Sequence, residues 1–271
     1  MQEKNKTIFH RLVKLYRRVK FIRYGWHGNY GSWEQALQHC TGYNSAVILE
    51  KVRKATLKVK NREAAFEKDS MLFDTIEYSW PLLSTLLQIA IQHNNKISVI
   101  DFGGSLGSCY FQNKKYLSQL EEVKWSVVEQ HDFVTVGQKE IADGNLQFFY
   151  TIDEALQSRG AHHVLVVSCV LPYLEQPYAF LKDITEKGFQ YIVFENTYFN
   201  PGKGDRLTVQ NVSPVFYEAS YPAWFLCYEK VKEAMGIYYD IYEEYINTES
   251  IYLDGEKVLY RGFVMKIKTS K

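Results

Sequence analysis

From residue 97 onward the apolar positions come in short runs rather than one long stretch. ISVIDF (97–102), KWSVVEQ (124–130), LQFFY (146–150), HVLVVS (163–168) and FQYIVFE (189–195) are rich in β-branched and aromatic residues. Between them lie stretches with helical spacing, such as 153–159 and 177–187. Thr151, with Glu154 three residues on, caps the first of these. Apolar runs bounded by helices predict a parallel sheet buried on both faces, hence an α/β fold. Past a helix predicted near 228–235 the texture changes. YYDIYEEYI (238–246) and YRGFVMKIK (260–268) bracket a turn at Asp254-Gly255, which predicts a terminal antiparallel hairpin.

The first 92 residues read as helical instead. Ile8, Phe9, Leu12, Val13, Tyr16, Val19 and Phe21 recur at helical spacing within 7–23, opposite a basic face. Two placements fit equally: a solvated helix packed on the body, or a helix lying on an anionic membrane surface. In WHGNYGSWEQAL (26–37) two glycines and Asn29 mark a loop, and Ser32 with Gln35 forms a capping box. Segments 45–60 and 62–92 read as mostly helical, interrupted at Pro81. The expected organisation is therefore a basic amphipathic helix over 1–24, a helical cap over 25–92 and a Rossmann-like domain over 93–271.

Composition narrows the function classes. Of the 271 residues 46% are hydrophobic, enough for a sizeable core, and no segment is low-complexity. Residues 1–23 hold eight Lys or Arg against one acid, Glu3, so the rest of this nearly neutral chain is acidic. An acidic body lacks the basic face of a nucleic-acid binder, so no nucleic-acid partner is expected. Cys40, Cys109, Cys169 and Cys227 are scattered with no CxxC pair, so neither a metal site nor a disulfide framework is expected. No apolar run approaches the ~18 residues of a membrane span, and charges interrupt the N-terminus too often for a signal peptide. The expected location is cytoplasmic, membrane-peripheral if residues 7–23 touch the inner membrane.

The chemistry concentrates in VIDFGGSLGS (99–108). A buried strand ends at Asp101 and a glycine-rich turn opens toward a helix, letting backbone approach a ligand at the carboxyl end of the first strand. Glu129 ends the second strand, where a carboxylate accepts hydrogen bonds from both hydroxyls of a ribose. That pair reads as adenosine ribose, a feature shared by dinucleotide enzymes and methyl-donor enzymes. The pattern Gly103, Ser105, Gly107 after an acid departs from the three-glycine dinucleotide fingerprint, and no Lys-Ser or Lys-Thr follows to make a P-loop. An NAD(P)-dependent oxidoreductase and a non-catalytic scaffold that retains the sheet remain as alternatives.

Several strings resemble a family of methyltransferases encoded in bacterial surface-polysaccharide gene clusters. They are GNYGSWEQAL (28–37), FEKDSMLFD through YSWPLL (66–83), VIDFGGSLGSCYFQ (99–112), WSVVEQ (125–130), ADGNLQF (142–148), SCVLPYLEQP (168–177), and DRLTVQNVSP with YPAWF (205–225). The resemblance runs from about residue 26 to the end and leaves out the basic helix. It implies a class I methyltransferase sheet, five parallel strands followed by a hairpin. It also implies S-adenosylmethionine held by Asp101, Gly103, Ser105 and Gly107, with Glu129 on the ribose and Ser168 and Leu171 beside the sulfonium. Ser105 stands where methyltransferases in general carry glycine. Ser168 has an alternative reading as a helix cap.

The acceptor side is read from position. His131, Glu195 and Tyr198 follow strand ends and are the catalytic candidates, although His131 also fits an ordinary loop histidine. His162 and His163 precede the fourth strand, on the opposite edge. Segment 196–226 follows the fifth strand, where acceptor-binding insertions occur, and supplies Arg206, Tyr221 and Trp224. With Trp26, Tyr30 and Trp33 of the N-terminal loop, it is expected to close over the donor pocket around a small-molecule or glycan acceptor. Arg206 suits an anionic group on that acceptor, or else pairs with Asp205 or Glu218.

Overall fold

The computed structural model describes residues 24–41, 45–214 and 218–269, so the amphipathic helix expected over 7–23 lies outside it. The chain begins with β1 (Gly25–Tyr30), α1 (Trp33–Leu37) and α2 (Ser45–Lys60), then β2 (Phe66–Lys68), β3 (Met71–Phe73) and α3 (Trp80–Gln92). The alternating part runs β4 (Lys96–Phe102), α4 (Ser108–Leu117), β5 (Glu122–Val128), α5 (His131–Val136), β6 (Leu146–Phe149), α6 (Ile152–Arg159), β7 (Val164–Ser168), α7 (Pro177–Glu186) and β8 (Tyr191–Thr197). It continues with β9 (Arg206–Asn211), β10 (Ser220–Phe225), α8 (Tyr228–Met235), β11 (Tyr239–Leu253) and β12 (Glu256–Ile267).

Ten strands make one sheet in the order β10-β9-β1-β11-β12-β8-β7-β4-β5-β6. Strands β4 to β8 are mutually parallel, and β12 adds antiparallel to β8 with β11 outside it. This is a Rossmann-like sheet closed by a C-terminal antiparallel hairpin, as the pattern of apolar runs predicts. Alternation sorts the parallel strands onto two cores. Val99, Val127, Val166 and Val193 face a cluster with Val52, Leu86, Tyr110 and Phe133 of α2 to α5. Ile100, Leu165, Val167 and Ile192 face Ala155, Leu181, Ile184 and Val231 of α6 to α8.

Three stretches differ from expectation. Residues 26–30 form a strand, not a loop: β1 lies in the main sheet, antiparallel to β9 and paired in parallel with β11. The 62–92 segment is not helical throughout, because β2 and β3 pair as a hairpin around Asp69 and Ser70, both left-handed with φ 52° and 66°. Pro81 does not interrupt α3 but sits in its first turn, where proline needs no N–H, behind the N-cap Ser79. The 196–226 segment likewise folds into the β9–β10 hairpin. The predicted caps form as read: Ser32 accepts the Gln35 N–H at 3.2 Å and Thr151 accepts the Glu154 N–H at 3.1 Å.

Candidate functional site

The glycine turn between β4 and α4 is shaped by close backbone approach. Gly103 and Gly107 have φ of 71° and 89°, and the Gly103 N–H donates to the Val128 carbonyl at 2.9 Å, tying the turn to the end of β5. A Cβ at Gly103 would lie 2.3 Å from a Val170 methyl, and one at Gly104 2.5 Å from the Asp101 carboxylate carbon. Ser105 also takes a left-handed φ, 54°, at a steric cost of about 1 kcal/mol for a residue with a Cβ.

The two acids of the motif stand in different places. Asp101 is fully buried beneath the turn. Its Oδ2 accepts the Trp125 indole N–H at 3.1 Å, and its Oδ1 is buried without a partner. Burial raises its pKa to about 7, against the Trp125 bond and with help from the nearby Glu129 charge. It supports the turn from inside and presents no surface to a ligand. Glu129 is half-buried one residue past β5. Its carboxylate accepts the Gln130 N–H at 2.6 Å and also the Ser105 N–H, so it stands over the turn, and burial raises its pKa. Ser168 is half-buried at the end of β7 and caps nothing: the short 3₁₀ turn 171–173 that follows has Val170 before it and no side-chain cap.

Beside this turn lie the carboxyl ends of β7 and β8. Cys169 and Asn196, which follow or end those strands, are left-handed with φ of 54° and 47°. Together with Ser105 and Asp69 they concentrate non-glycine backbone strain at this edge of the sheet. Glu195 is buried and faces the side of α3. It accepts Ser79 Oγ at 3.1 Å and Asn247 Nδ2 at 3.2 Å, and it also accepts the Tyr245 hydroxyl. Burial raises its pKa, and the three donors oppose that rise.

The β2–β3 hairpin, which the sequence reading missed, closes this side. Buried Glu67 accepts Ser108 Oγ at 2.5 Å, clamping the hairpin to the start of α4, and accepts the Ser70 N–H at 2.9 Å. Lys68 reaches the other way, to Glu249 on β11 at 2.6 Å. Asp69 at the tip is exposed to solvent, and the protein atoms packed around it raise its pKa. Cys169 and Tyr260 both feel its charge and that of Glu249. The available signal was the Asp-Ser pair between FEK and MLF, a short hairpin pattern inside a stretch otherwise read as helix.

The remaining candidates pack among neighbouring side chains or lie at the surface. Tyr198 is fully buried and accepts the Trp26 indole N–H at 3.0 Å. It also hydrogen-bonds Tyr173, whose hydroxyl donates to Gln210 at 2.9 Å. Tyr221 packs edge-on against Tyr173 at 5.4 Å. Trp33 stacks on Trp224 at 6.4 Å, and Tyr30 lies against His39. Arg206 pairs with neither Asp205 nor Glu218. It forms an ion pair with Asp254 in the β11–β12 turn and donates to the Gly28 carbonyl at 2.9 Å, bracing β9 against β1 and that turn. Asp205 instead receives Tyr178, Lys230 and the Cys227 N–H. His131 is exposed at the start of α5, 3.3 Å from Asp132 and stacked on Tyr150. His162 bonds Ser126 at 3.0 Å, and burial lowers its pKa to about 4. A separate hollow of about 780 Å³ lies between the end of α2 and α4, where Lys60 and Lys114 already hold the Glu140 carbonyl and Asp143.

No protein-family model and no curated protein matches the chain. Solved structures of similar shape include the N-terminal domain of EvdMO1, crystallised with S-adenosylhomocysteine and D-fucose, at 12% identity and TM-score 0.48, with 80% of this chain and 97% of that one covered. A SAM-dependent methyltransferase of Methanosarcina mazei aligns at 11% identity and TM-score 0.47, over 69% and 97% of the two chains. The magnesium protoporphyrin IX methyltransferase of Synechocystis PCC 6803, with S-adenosylhomocysteine bound, aligns at 10% identity and TM-score 0.44, over 83% and 100%.

Proposed function

We propose that this protein is an S-adenosylmethionine-dependent methyltransferase. In this reading it acts on an oxygen of a small-molecule or glycan precursor, a sugar or a phosphoryl or phosphoramidate group, in bacterial surface-polysaccharide or capsule biosynthesis. One observation carries the reading. At the carboxyl ends of adjacent parallel strands, an accessible carboxylate, Glu129, stands over a glycine turn whose positive-φ backbone leaves no room for side chains at Gly103 and Gly104. The residues fit the donor. Glu129 accepts the two ribose hydroxyls on lone pairs its backbone partners leave open. Gly103 and Ser105 would present backbone to the methionine part, with Ser168 at the end of β7 beside them. The donor supplies a methyl group on a positively charged sulfur.

Catalysis then rests on alignment. The protein would hold the acceptor oxygen in line with the methyl–sulfur bond. Buried Glu195 anchors Ser79, Tyr245 and Asn247 behind this sheet edge. Tyr198 is bonded to Trp26 and Tyr173. Calorimetric titration with S-adenosylhomocysteine tests the reading: binding at one site per chain is expected, and binding of NAD or NADP in its place would favour the oxidoreductase.

A further inference from the structure

We infer that Tyr245 and Asn247 of β11, Ser79 at the start of α3 and the Glu195 side chain they meet form a positioning network. It holds two strained residues at the carboxyl ends of β7 and β8, and through them it sets the glycine turn that takes the donor. The inference rests on the methyltransferase reading and adds positioning residues to its donor site.

The two strained residues are Cys169 and Asn196, left-handed with φ of 54° and 47°. Each costs about 1–2 kcal/mol and persists only where its surroundings leave the chain no alternative. Here the surroundings are bonds to residues 195 and 196. The Cys169 N–H donates to the Glu195 carbonyl at 2.9 Å, and Thr197 Oγ1 donates to the same carbonyl at 3.0 Å. Asn247 Nδ2 donates to Glu195 Oε1 at 3.2 Å and also to the Asn196 side-chain oxygen. One asparagine on β11 therefore fixes both the buried carboxyl group and the strained residue after it.

Glu195, 2% exposed, also accepts Ser79 Oγ at 3.1 Å from α3 and the Tyr245 hydroxyl from β11. Tyr245 reaches it across β12, the strand between β11 and β8. It lies opposite Gly262, where a Cβ would stand 2.2 Å from the tyrosine ring, so any side chain there would displace the ring. Two elements distant in sequence, α3 and β11, thus converge on one carboxyl group of β8. A buried carboxyl group is costly unless its hydrogen bonds are complete, so the three donors hold their elements to it.

A short path runs from this network to the glycine turn. Cys169, tied to the Glu195 carbonyl, is followed by Val170, which has a methyl 2.3 Å from where a Cβ on Gly103 would lie. Val170 is therefore packed on the Gly103 backbone, and the Gly103 N–H is bonded to the carbonyl of Val128, the residue before Glu129. Close-packed interiors transmit small shifts, so a relaxed 169–170 turn moves the backbone it packs against.

Tyr245→Phe and Asn247→Ala test this, because each removes bonds at the far end of the path and leaves every residue of the glycine turn in place. Calorimetry should show the Kd for S-adenosylhomocysteine raised about 10-fold in either variant. Amide NMR spectra of the ligand-free protein should show the Val170 and Gly103 signals shifted. Glu195→Gln keeps an acceptor for Ser79 and Asn247 and should hold Kd within about threefold of wild type, whereas Glu195→Ala should weaken binding as much as the β11 variants do. A merely structural role would lower Tm and leave Kd and those two amides unmoved. That result in both β11 variants would overturn the inference with the donor reading intact. A wild-type protein that binds no S-adenosylhomocysteine would overturn the donor reading itself, and unmoved Val170 and Gly103 amides would then overturn the network's hold on the turn as well.

Discussion

The two halves of the ten-stranded sheet are held by different physics. In β4 to β8 the side chains on both faces are mostly apolar and almost wholly buried, with an aliphatic centre of Val166, Leu165, Val193 and Ile192. In β1 and β9 to β11 the packing is aromatic and polar: Trp26 on Tyr198, Trp33 on Trp224, Arg206 on Asp254, with one face of β11 open to solvent. The first half is rigid because close packing tolerates few alternatives. It positions the glycine turn and Glu129. The second half depends on hydrogen bonds and ring contacts that other residues could replace. The glycine turn thus sits on the inflexible half, and the aromatic contacts on the adaptable one.

The comparison can be broken from either side. The largest effect is expected in the parallel half. Leu165→Ala removes a fully buried side chain and should cost ~2–5 kcal/mol by denaturant unfolding. Asp101 follows. Its pKa in the folded protein, about 7, lies above the ordinary value near 4, so folding favours the protonated form. Its contribution to stability is fully present below about pH 4 and is lost as pH rises to about 7. Asp101→Asn should therefore flatten the pH dependence of Tm over that range, and should stabilise the protein at pH 8 by on the order of 2–4 kcal/mol. An unchanged Tm–pH profile would show that Asp101 is not the buried acid described.

Next in size is Glu129→Ala, which should weaken S-adenosylhomocysteine binding by ~1–3 kcal/mol in calorimetry and leave the fold intact. The smallest effect belongs to the antiparallel half. Arg206→Ala breaks an ion pair whose acidic partner is mostly exposed, so a loss of about 0.5–1 kcal/mol in thermal melts is expected, with no change in the acceptor's KM. A raised KM at unchanged Tm would restore Arg206 as an acceptor ligand. A loss as large as that of Leu165→Ala would erase the distinction between the halves.

The same division explains what was legible in the sequence. Period-two and aliphatic patterns mark strands buried on both faces, so β4 to β8 and the terminal hairpin could be read directly. So could the turn and Glu129, because backbone constraints at Gly103 and Gly107 leave a residue signature. Strand β1 was read as a loop and β9 and β10 only as an insertion, because glycine, asparagine and isolated aromatics carry no clear period. The pairing of β1 is decided by partners more than 170 residues away, as in Trp26 opposite Gln210. The hairpin at 66–73 was hidden in a stretch whose flanks are helical. Arg206 was legible as a planar cation and Asp254 as a turn residue, but nothing in the sequence pairs the two.

The placement of β1 also governs the order in which the protein can assemble during synthesis. Trp26 pairs with Gln210 and Leu253, so the strand nearest the start of the described chain docks only after the last hairpin has left the ribosome. A nascent chain ending near residue 200 already contains β4 to β8 and the glycine turn. It lacks the strands that seat Trp26 against Tyr198. This aromatic contact is thus a late, long-range closure with a high entropic cost, and it is the step at which translation speed and chaperones would exert most leverage on this molecule.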